Sequence, residues 1–208
     1  TNTALFAKQA ATLDSLSEGR LELGLAPGTR EDDFEVSGVD FGQRGKIFDR
    51  QLEELPKLWK GEGGVGPPPP RERPGLLIGG TSERAFKRAA RHADGWTQGG
   101  GTPDALKEGK AKAERAWEAA GRDGSPKVMA LFYFALGDRA EEHAREDLGD
   151  YYAVFGDVAE QIIASAATDA DTVMSYLSAF EEAGCDEVMC FPTAIDPDQV
   201  DMLAEAAL

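Results

Sequence analysis

The sequence predicts an α/β protein built on a parallel sheet, and three observations carry that prediction. Strand-like and helix-like segments alternate along nearly the whole chain. Glycine- and proline-rich turns punctuate the joins between them. One join, Leu76-Leu77-Ile78-Gly79-Gly80-Thr81-Ser82-Glu83, reads as a buried strand, a tight turn and a hydroxyl-capped helix start in direct succession. Five strands separated by helices imply parallel pairing with right-handed crossovers. Periodicity does not separate an open doubly wound sheet from a closed barrel, but in both the ligand lies at the carboxyl ends of the strands.

Leu5 to Leu16 has helical spacing and ends at the Ser17-Glu18-Gly19 turn; Arg20 to Ala26 then reads as the first strand. Ile47, Phe48, Leu52, Leu55 and Leu58 or Trp59 share one face of a helix over 44–60. The following Gly61 to Pro74 contains four consecutive prolines, which force an extended path. Gly75 to Ile78 is the second strand, with a helix to about His92, and Gly95 to Gln98 is the third. Thr102-Pro103-Asp104 starts a helix, with a capping residue ahead of a proline at the first helical position. Lys127 to Leu136 is the fourth strand, and Asp138 is placed to cap the helix after it. Gly149 to Ala167 looks less regular. A helix from Asp169 or Asp171, closed by Gly184, leads to the fifth strand, Glu187 to Phe191, and Asp196-Pro197 opens a terminal helix.

Composition narrows the function. With 208 residues, 41% of them hydrophobic, the chain can bury one sizeable core. Its 22 Lys and Arg against 38 Asp and Glu leave a net charge of −16, which argues against nucleic acid and anionic membrane surfaces as partners. The longest apolar runs are far too short to span a bilayer, and no secretory signal opens the chain. Cys185 and Cys190 fall near opposite ends of one strand, so they do not bridge, and His92 and His143 are too far apart to build a zinc-like site. A reduced, cytoplasmic protein without a metal is the simplest expectation.

The carboxyl-end rule selects Ala26 to Arg30, Gly79 to Ser82, Thr97 to Gly99, Leu136 to Asp138 and Cys190 to Thr193. The Gly79-Gly80-Thr81-Ser82 turn aims several backbone N–H groups at one spot, and the dipole of the following helix makes that spot suit a phosphate. Read blandly, it is an ordinary strand-to-helix turn with a capping serine. Ala26-Pro27-Gly28-Thr29-Arg30, followed by Glu31-Asp32-Asp33, is a turn with a solvated charge cluster unless Arg30 faces an anionic ligand. His92 lies at the amino end of the third strand, the wrong face for catalysis, and His143 sits in a charged helix. Asp94 reads as a turn residue, Cys190 as a small buried apolar residue, and Trp96 as packing. Tyr151 and Tyr152 either stack on a planar ligand or pack. None of these is a convincing nucleophile or general base, so catalytic residues stay unassigned. A phosphate cradle without catalytic side chains suits a cofactor that brings its own chemistry.

Several motifs in series, Ala7 to Arg20, Leu23 to Gly28, Ile78 to Ser82, Ala93 to Trp96 and Ala183 to Val188, together resemble the bacterial luciferase-like flavin-dependent oxidoreductases. Ala7-Lys8-Gln9-Ala10-Ala11-Thr12-Leu13-Asp14-Ser15-Leu16-Ser17-Glu18-Gly19-Arg20 resembles that family's helix-to-strand entry. Leu23-Gly24-Leu25-Ala26-Pro27-Gly28 with Asp33-Phe34 and Arg44, then Ile78 to Ser82, Ala93-Asp94-Gly95-Trp96 and Ala183 to Val188, follow in the family's order. The resemblance implies a (β/α)8 TIM-barrel fold, of which this chain represents only the units from strand 4 to strand 8. It implies one luciferase-like barrel domain over 1–208, incomplete at its N-terminus; the start at Thr1 rather than Met agrees with that expectation. Such a partial barrel would expose an apolar interior and two long edges.

The same resemblance implies FMN, or alternatively coenzyme F420, at the carboxyl face. Gly79, Gly80, Thr81 and Ser82 would hold its phosphate, with Gly28 and Thr29 near the ring or ribityl chain. Some luciferases carry a phosphate-binding arginine where this chain has Pro27, so the grip would rest on backbone groups, helped by Arg30 or Arg84. The implied activity is a monooxygenase-like flavin-dependent oxidoreductase acting on a small organic molecule. Its acid–base helpers would lie on the absent strands. Its partners would be that small-molecule substrate, a separate NAD(P)H-dependent flavin or F420 reductase, and a second copy in a homodimer. Rival readings are a catalytically degenerate flavin-binding protein and a non-redox barrel enzyme acting on a phosphorylated metabolite.

Overall fold

A computed structural model describes residues 2–208. It is an α/β fold whose strands follow one another as β1-β2-β3-β4-β5. The elements are α1 (Thr3–Leu16), β1 (Glu22–Leu25), α2 (Glu31–Val36), α3 (Arg44–Trp59), β2 (Gly75–Gly79), α4 (Glu83–His92), β3 (Gly95–Thr97), α5 (Pro103–Ala119), β4 (Lys127–Phe134), α6 (Ala140–Tyr151), α7 (Asp157–Ala164), α8 (Ala170–Glu182), β5 (Glu187–Pro192) and α9 (Asp198–Ala207), with short 3-10 turns at Phe41–Gln43, Glu62–Gly64 and Ala153–Phe155. The chain divides into two compact units, Thr1–Trp96 with Ala113–Lys127, and Thr97–Lys112 with Val128–Leu208.

In the first unit β1 and β2 are parallel, with Leu25 opposite Ile78. The strand β2 is buried along its whole length, as expected of a strand covered on both faces. Ala7, Ala10 and Ala11 of α1 pack with Leu55, Leu58 and Trp59 of α3 into one apolar cluster against Leu21, Leu23 and Leu25. Small alanines let α1 approach closely, and the Trp59 indole N–H donates to the Ala7 carbonyl at 3.0 Å. Asp94, just before β3, clamps the amino end of β2: its N–H donates to the Leu76 carbonyl at 2.7 Å and its carboxylate accepts from Leu76 N at 2.8 Å. Gly95 next to it must be glycine, since a Cβ there would lie 1.9 Å from the Lys127 carbonyl oxygen.

The second unit repeats that clamp. Asp186 N donates to the Val128 carbonyl at 2.8 Å, and the Asp186 carboxylate accepts from Val128 N at 2.7 Å. The strands β4 and β5 are parallel with Phe132 opposite Cys190 and Tyr133 opposite Phe191. On one face Phe132 packs on Tyr176 and Phe180 of α8. Period-two alternation puts Tyr133 and Phe191 on the other face, with ring centroids 6.2 Å apart.

Four expectations change. The strand β1 is shorter than 20–26, because Leu21 N is taken by the buried Asp14 carboxylate at 3.3 Å instead of the ladder. The exposed Glu31-Asp32-Asp33 cluster opens a helix, α2, that was not expected there, three carboxylates at a helix start being favoured by its dipole. Asp138 does not cap α6; Arg139 occupies that position without a side-chain cap. The segment 149–167 is largely helical, comprising the end of α6, a 3-10 turn and α7. By contrast Ser82 and Asp169 cap α4 and α8, and Thr102 accepts from Ala105 N at the start of α5.

Candidate functional site

The cradle forms where β2 hands over to α4. Gly80 has φ +116, a conformation side chains rarely adopt, and a Cβ there would press Ala85 Cβ at 3.1 Å. Its carbonyl accepts from the Trp96 indole N–H at 2.8 Å. Trp96 is 1% exposed and packs on Phe86 of α4 with ring centroids 5.5 Å apart. The tryptophan therefore fixes the turn from below, a second task beyond the packing expected of it.

Above the turn, Ser82 Oγ accepts from Ala85 N at 3.2 Å. Its own hydroxyl hydrogen can then donate outward. The N–H groups at the start of α4, ahead of Ala85, have no intrahelical acceptor. Thr81, Ser82, Glu83 and Arg84 are all exposed. Backbone donors, two hydroxyls and a helix N-terminus fit a phosphate. The Glu83 carboxylate in the same first turn opposes one.

Gly28 and Thr29 leave the end of β1, beside the end of β2, because Leu25 pairs with Ile78. Gly28 has φ +85, and a Cβ there would sit 3.3 Å from the Phe34 ring. Phe34 packs edge-on to Phe41 at 5.2 Å, and the Arg44 guanidinium lies 3.7 Å over the Phe41 ring. Arg30, considered as an anion contact, is instead turned to Asp32 at 2.7 Å. Any anion grip thus falls to the backbone, the hydroxyls and Arg84.

The remaining candidates separate from this place. Asp94 is bound to Arg73 through both oxygens, at 2.6 and 2.7 Å. Burial alone would raise its carboxyl, but hydrogen bonds from Arg73 and Leu76 N hold it below the usual value. Burial beside Arg91 pushes the His92 imidazole down, keeping it neutral at the end of α4. Cys185 and Cys190 are free, half-buried thiols that burial pushes up. At the end of β4, Leu136 N and C=O are both taken by the buried Gln199 amide, at 2.8 and 2.9 Å, and Thr193 N donates to the Phe134 carbonyl. That strand end is closed by the chain itself.

Sequence reasoning missed Tyr133. Its hydroxyl lies 2.6 Å from that of Tyr152, beside a cleft of about 390 Å³ within the second unit. A lone hydroxyl inside the apolar run Val128 to Leu136 was the available signal. No group of His, Cys, Asp and Glu that could hold a metal occurs among the described residues, and no described helix is long and apolar enough to cross a membrane.

Known proteins give this geometry a context. The chain is similar to an uncharacterized protein of Mycobacterium tuberculosis, 37% identical over 132 residues, covering 57% of this chain and 45% of the relative. A second uncharacterized protein of that organism is 32% identical over 164 residues, 72% of this chain and 57% of the relative. Pyrimidine monooxygenase RutA of Cronobacter sakazakii is 27% identical over 170 residues, 72% of this chain and 49% of that protein. The chain thus spans about half the length of the curated relatives it matches.

Two solved structures share the fold. An F420-dependent secondary alcohol dehydrogenase in complex with an F420-acetone adduct has a TM-score of 0.76 at 20% identity, over 99% of this chain and 74% of that one. Monooxygenase RslO1 from Streptomyces bottropensis has 0.73 at 17%, over 98% and 72%. The luciferase-like monooxygenase family matches residues 1–184. With that match running through every strand but β5, the chain belongs to the luciferase-like monooxygenases.

Proposed function

We propose that this chain carries the cofactor-phosphate site of a monooxygenase-like oxidoreductase that uses FMN, or alternatively F420. Its five strands then correspond to the fourth to eighth of the family's barrel. The observation that carries this reading is the β2–α4 turn, where Gly80 is held in a left-handed conformation by Trp96 and Ser82 keeps a hydroxyl hydrogen to donate. F420-dependent enzymes and monooxygenases among the similar structures, and RutA among the relatives, support it.

Gly79, Gly80, Thr81 and Ser82 would bind the phosphate, and Gly28 and Thr29 would flank the ribityl chain or the ring. When bound, the reduced cofactor supplies the electrons that a substrate or dioxygen receives. The chain's own residues bind and orient it. A separate reductase supplying reduced cofactor, and a homodimer, belong to the same proposal.

Titration of the purified chain with FMN and with F420, followed by fluorescence, tests it. Saturable binding of one of them, weakened by Gly80→Val and unaffected by Cys190→Ala, is expected. Binding of neither, alongside binding of small phosphorylated metabolites, would overturn the redox reading in favour of a phosphometabolite site.

A further inference from the structure

The cleft in the second unit differs in character from the cradle. Its lining includes Leu131 and Tyr133 of β4, Tyr152, Val158 and Ile162 of α7, and Tyr176 of α8. The Gly99–Gly101 segment forms one wall, with Leu131 Cδ1 3.9 Å from where a Gly100 Cβ would stand. Those glycines keep that wall free of side chains. The volume, about 390 Å³, falls within the range of small-molecule sites. No charged side chain lines it. A carboxylate or phosphate entering would therefore lose its hydration without gaining a counter-charge.

Thr102, Gln161 and Ser165 also line the cleft, but its paired hydroxyls are those of Tyr133 and Tyr152. With the hydroxyls 2.6 Å apart, one proton is shared along the contact and the other O–H stays able to donate. Burial and the Tyr152 hydroxyl both push Tyr133 well above the usual tyrosine range, so it stays a neutral donor. The Tyr133 ring meets those of Tyr152 and Phe191 edge to face, at centroid distances of 6.1 and 6.2 Å.

We infer that this cleft binds a neutral, planar organic molecule carrying a hydrogen-bond acceptor such as a carbonyl, seated against the Tyr133–Tyr152 hydroxyl pair. As a statement of substrate class this rests on the oxidoreductase reading; as a binding site it stands without it. One hydroxyl donates to the ligand oxygen while the other holds the donor in line. Leu131, Val158 and Ile162 take the rest of the molecule.

The experiment measures binding of three probes of similar size to the flavin-free chain by ligand-observed NMR: acetophenone, ethylbenzene and benzoate. Acetophenone is expected to bind best, with ethylbenzene weaker by roughly fivefold for want of the hydrogen bond and benzoate weaker by at least about tenfold. Tyr133→Phe and Tyr152→Phe should each bring acetophenone to the level of ethylbenzene. Val158→Trp, on the half-exposed rim, should block all three probes without touching the pair. Benzoate binding as well as acetophenone, or acetophenone binding unmoved by Val158→Trp, would overturn the proposal. FMN and F420 titrations of the unmodified chain separate the two readings: probe binding with neither cofactor bound sinks the redox reading alone.

Discussion

The carboxyl ends of β2 and β4 are the same kind of place in a parallel sheet, yet the chain finishes them in opposite ways. Beyond β4, a buried glutamine from α9 reaches back and takes both the N–H and the carbonyl of Leu136. Beyond β2, a glycine turn is tied by Trp96, and the N–H groups at the helix start ahead of Ala85 have no intrahelical acceptor. A buried backbone group must find a partner, so Gln199 serves stability. Exposed donors held in one geometry cost little while solvated, which is the property the proposed phosphate site draws on at the β2 turn. Position at a strand end nominates a site; the partner of its backbone donors decides whether one exists.

The largest effect that would test this contrast is at the closed end. Gln199 is 3% exposed, and Gln199→Ala would leave Leu136 N and C=O unpaired in the interior. We expect a loss of about 3 kcal/mol in urea unfolding, from two unsatisfied groups. FMN affinity of the remaining folded protein should not change. A parallel loss of affinity would mean that the β4 end also belongs to the cofactor site.

Trp96→Phe comes next, because it touches both roles. It removes the donor to the Gly80 carbonyl and leaves space beside Phe86. The expected cost is about 2 kcal/mol, from one lost hydrogen bond and a small cavity. FMN affinity should fall severalfold, since the turn is no longer held. Full affinity with reduced stability would show that the turn holds its shape without the tryptophan.

Ser82→Ala should cost about 1 kcal/mol of stability, the ordinary value of a lost N-cap. Its decisive readout is selective: FMN binding should weaken, and riboflavin binding, which involves no phosphate, should not. Equal weakening of both would move Ser82 from the phosphate to the ring.

These differences were unequally visible in the sequence. Gly79-Gly80-Thr81-Ser82 could be read directly, because tight turns and caps require particular residue types within a few positions. Asp94 was legible as a turn residue for the same reason, though not that Asp186 repeats its clamp. Gln199 was invisible. In Asp198-Gln199-Val200-Asp201 a buried glutamine looks like any polar residue of a surface helix, and its partner lies 63 residues away. The Tyr133–Tyr152 contact was lost likewise, since Tyr152 lies in a segment whose helices stand on tertiary packing more than on local pattern. Local chemistry reads from sequence; contacts closed by the fold do not.

The smallest effect lies at the amino end of β2, where Asp94 binds Arg73 and Leu76 N. Its carboxyl is depressed below 3.8 in the folded chain, so the unfolded chain takes up a proton first as pH falls. The stabilisation is complete above 3.8 and fades as pH drops through the lower, folded value. Asp94→Asn lacks that titration at every pH. The stability gap between wild type and variant should therefore be constant from pH 5 to 7, by about the same margin, and close progressively in acid below about pH 4. The Asp94 side chain is 46% exposed, so solvent screening keeps the gap modest. Urea midpoints measured across this range decide it, with FMN affinity at pH 7 as the control. A gap that widened in acid would reverse the sign and place the charge of Asp94 against the fold. A constant gap with weakened FMN binding would show that the amino-end clamp also shapes the cradle at the other end of the strand.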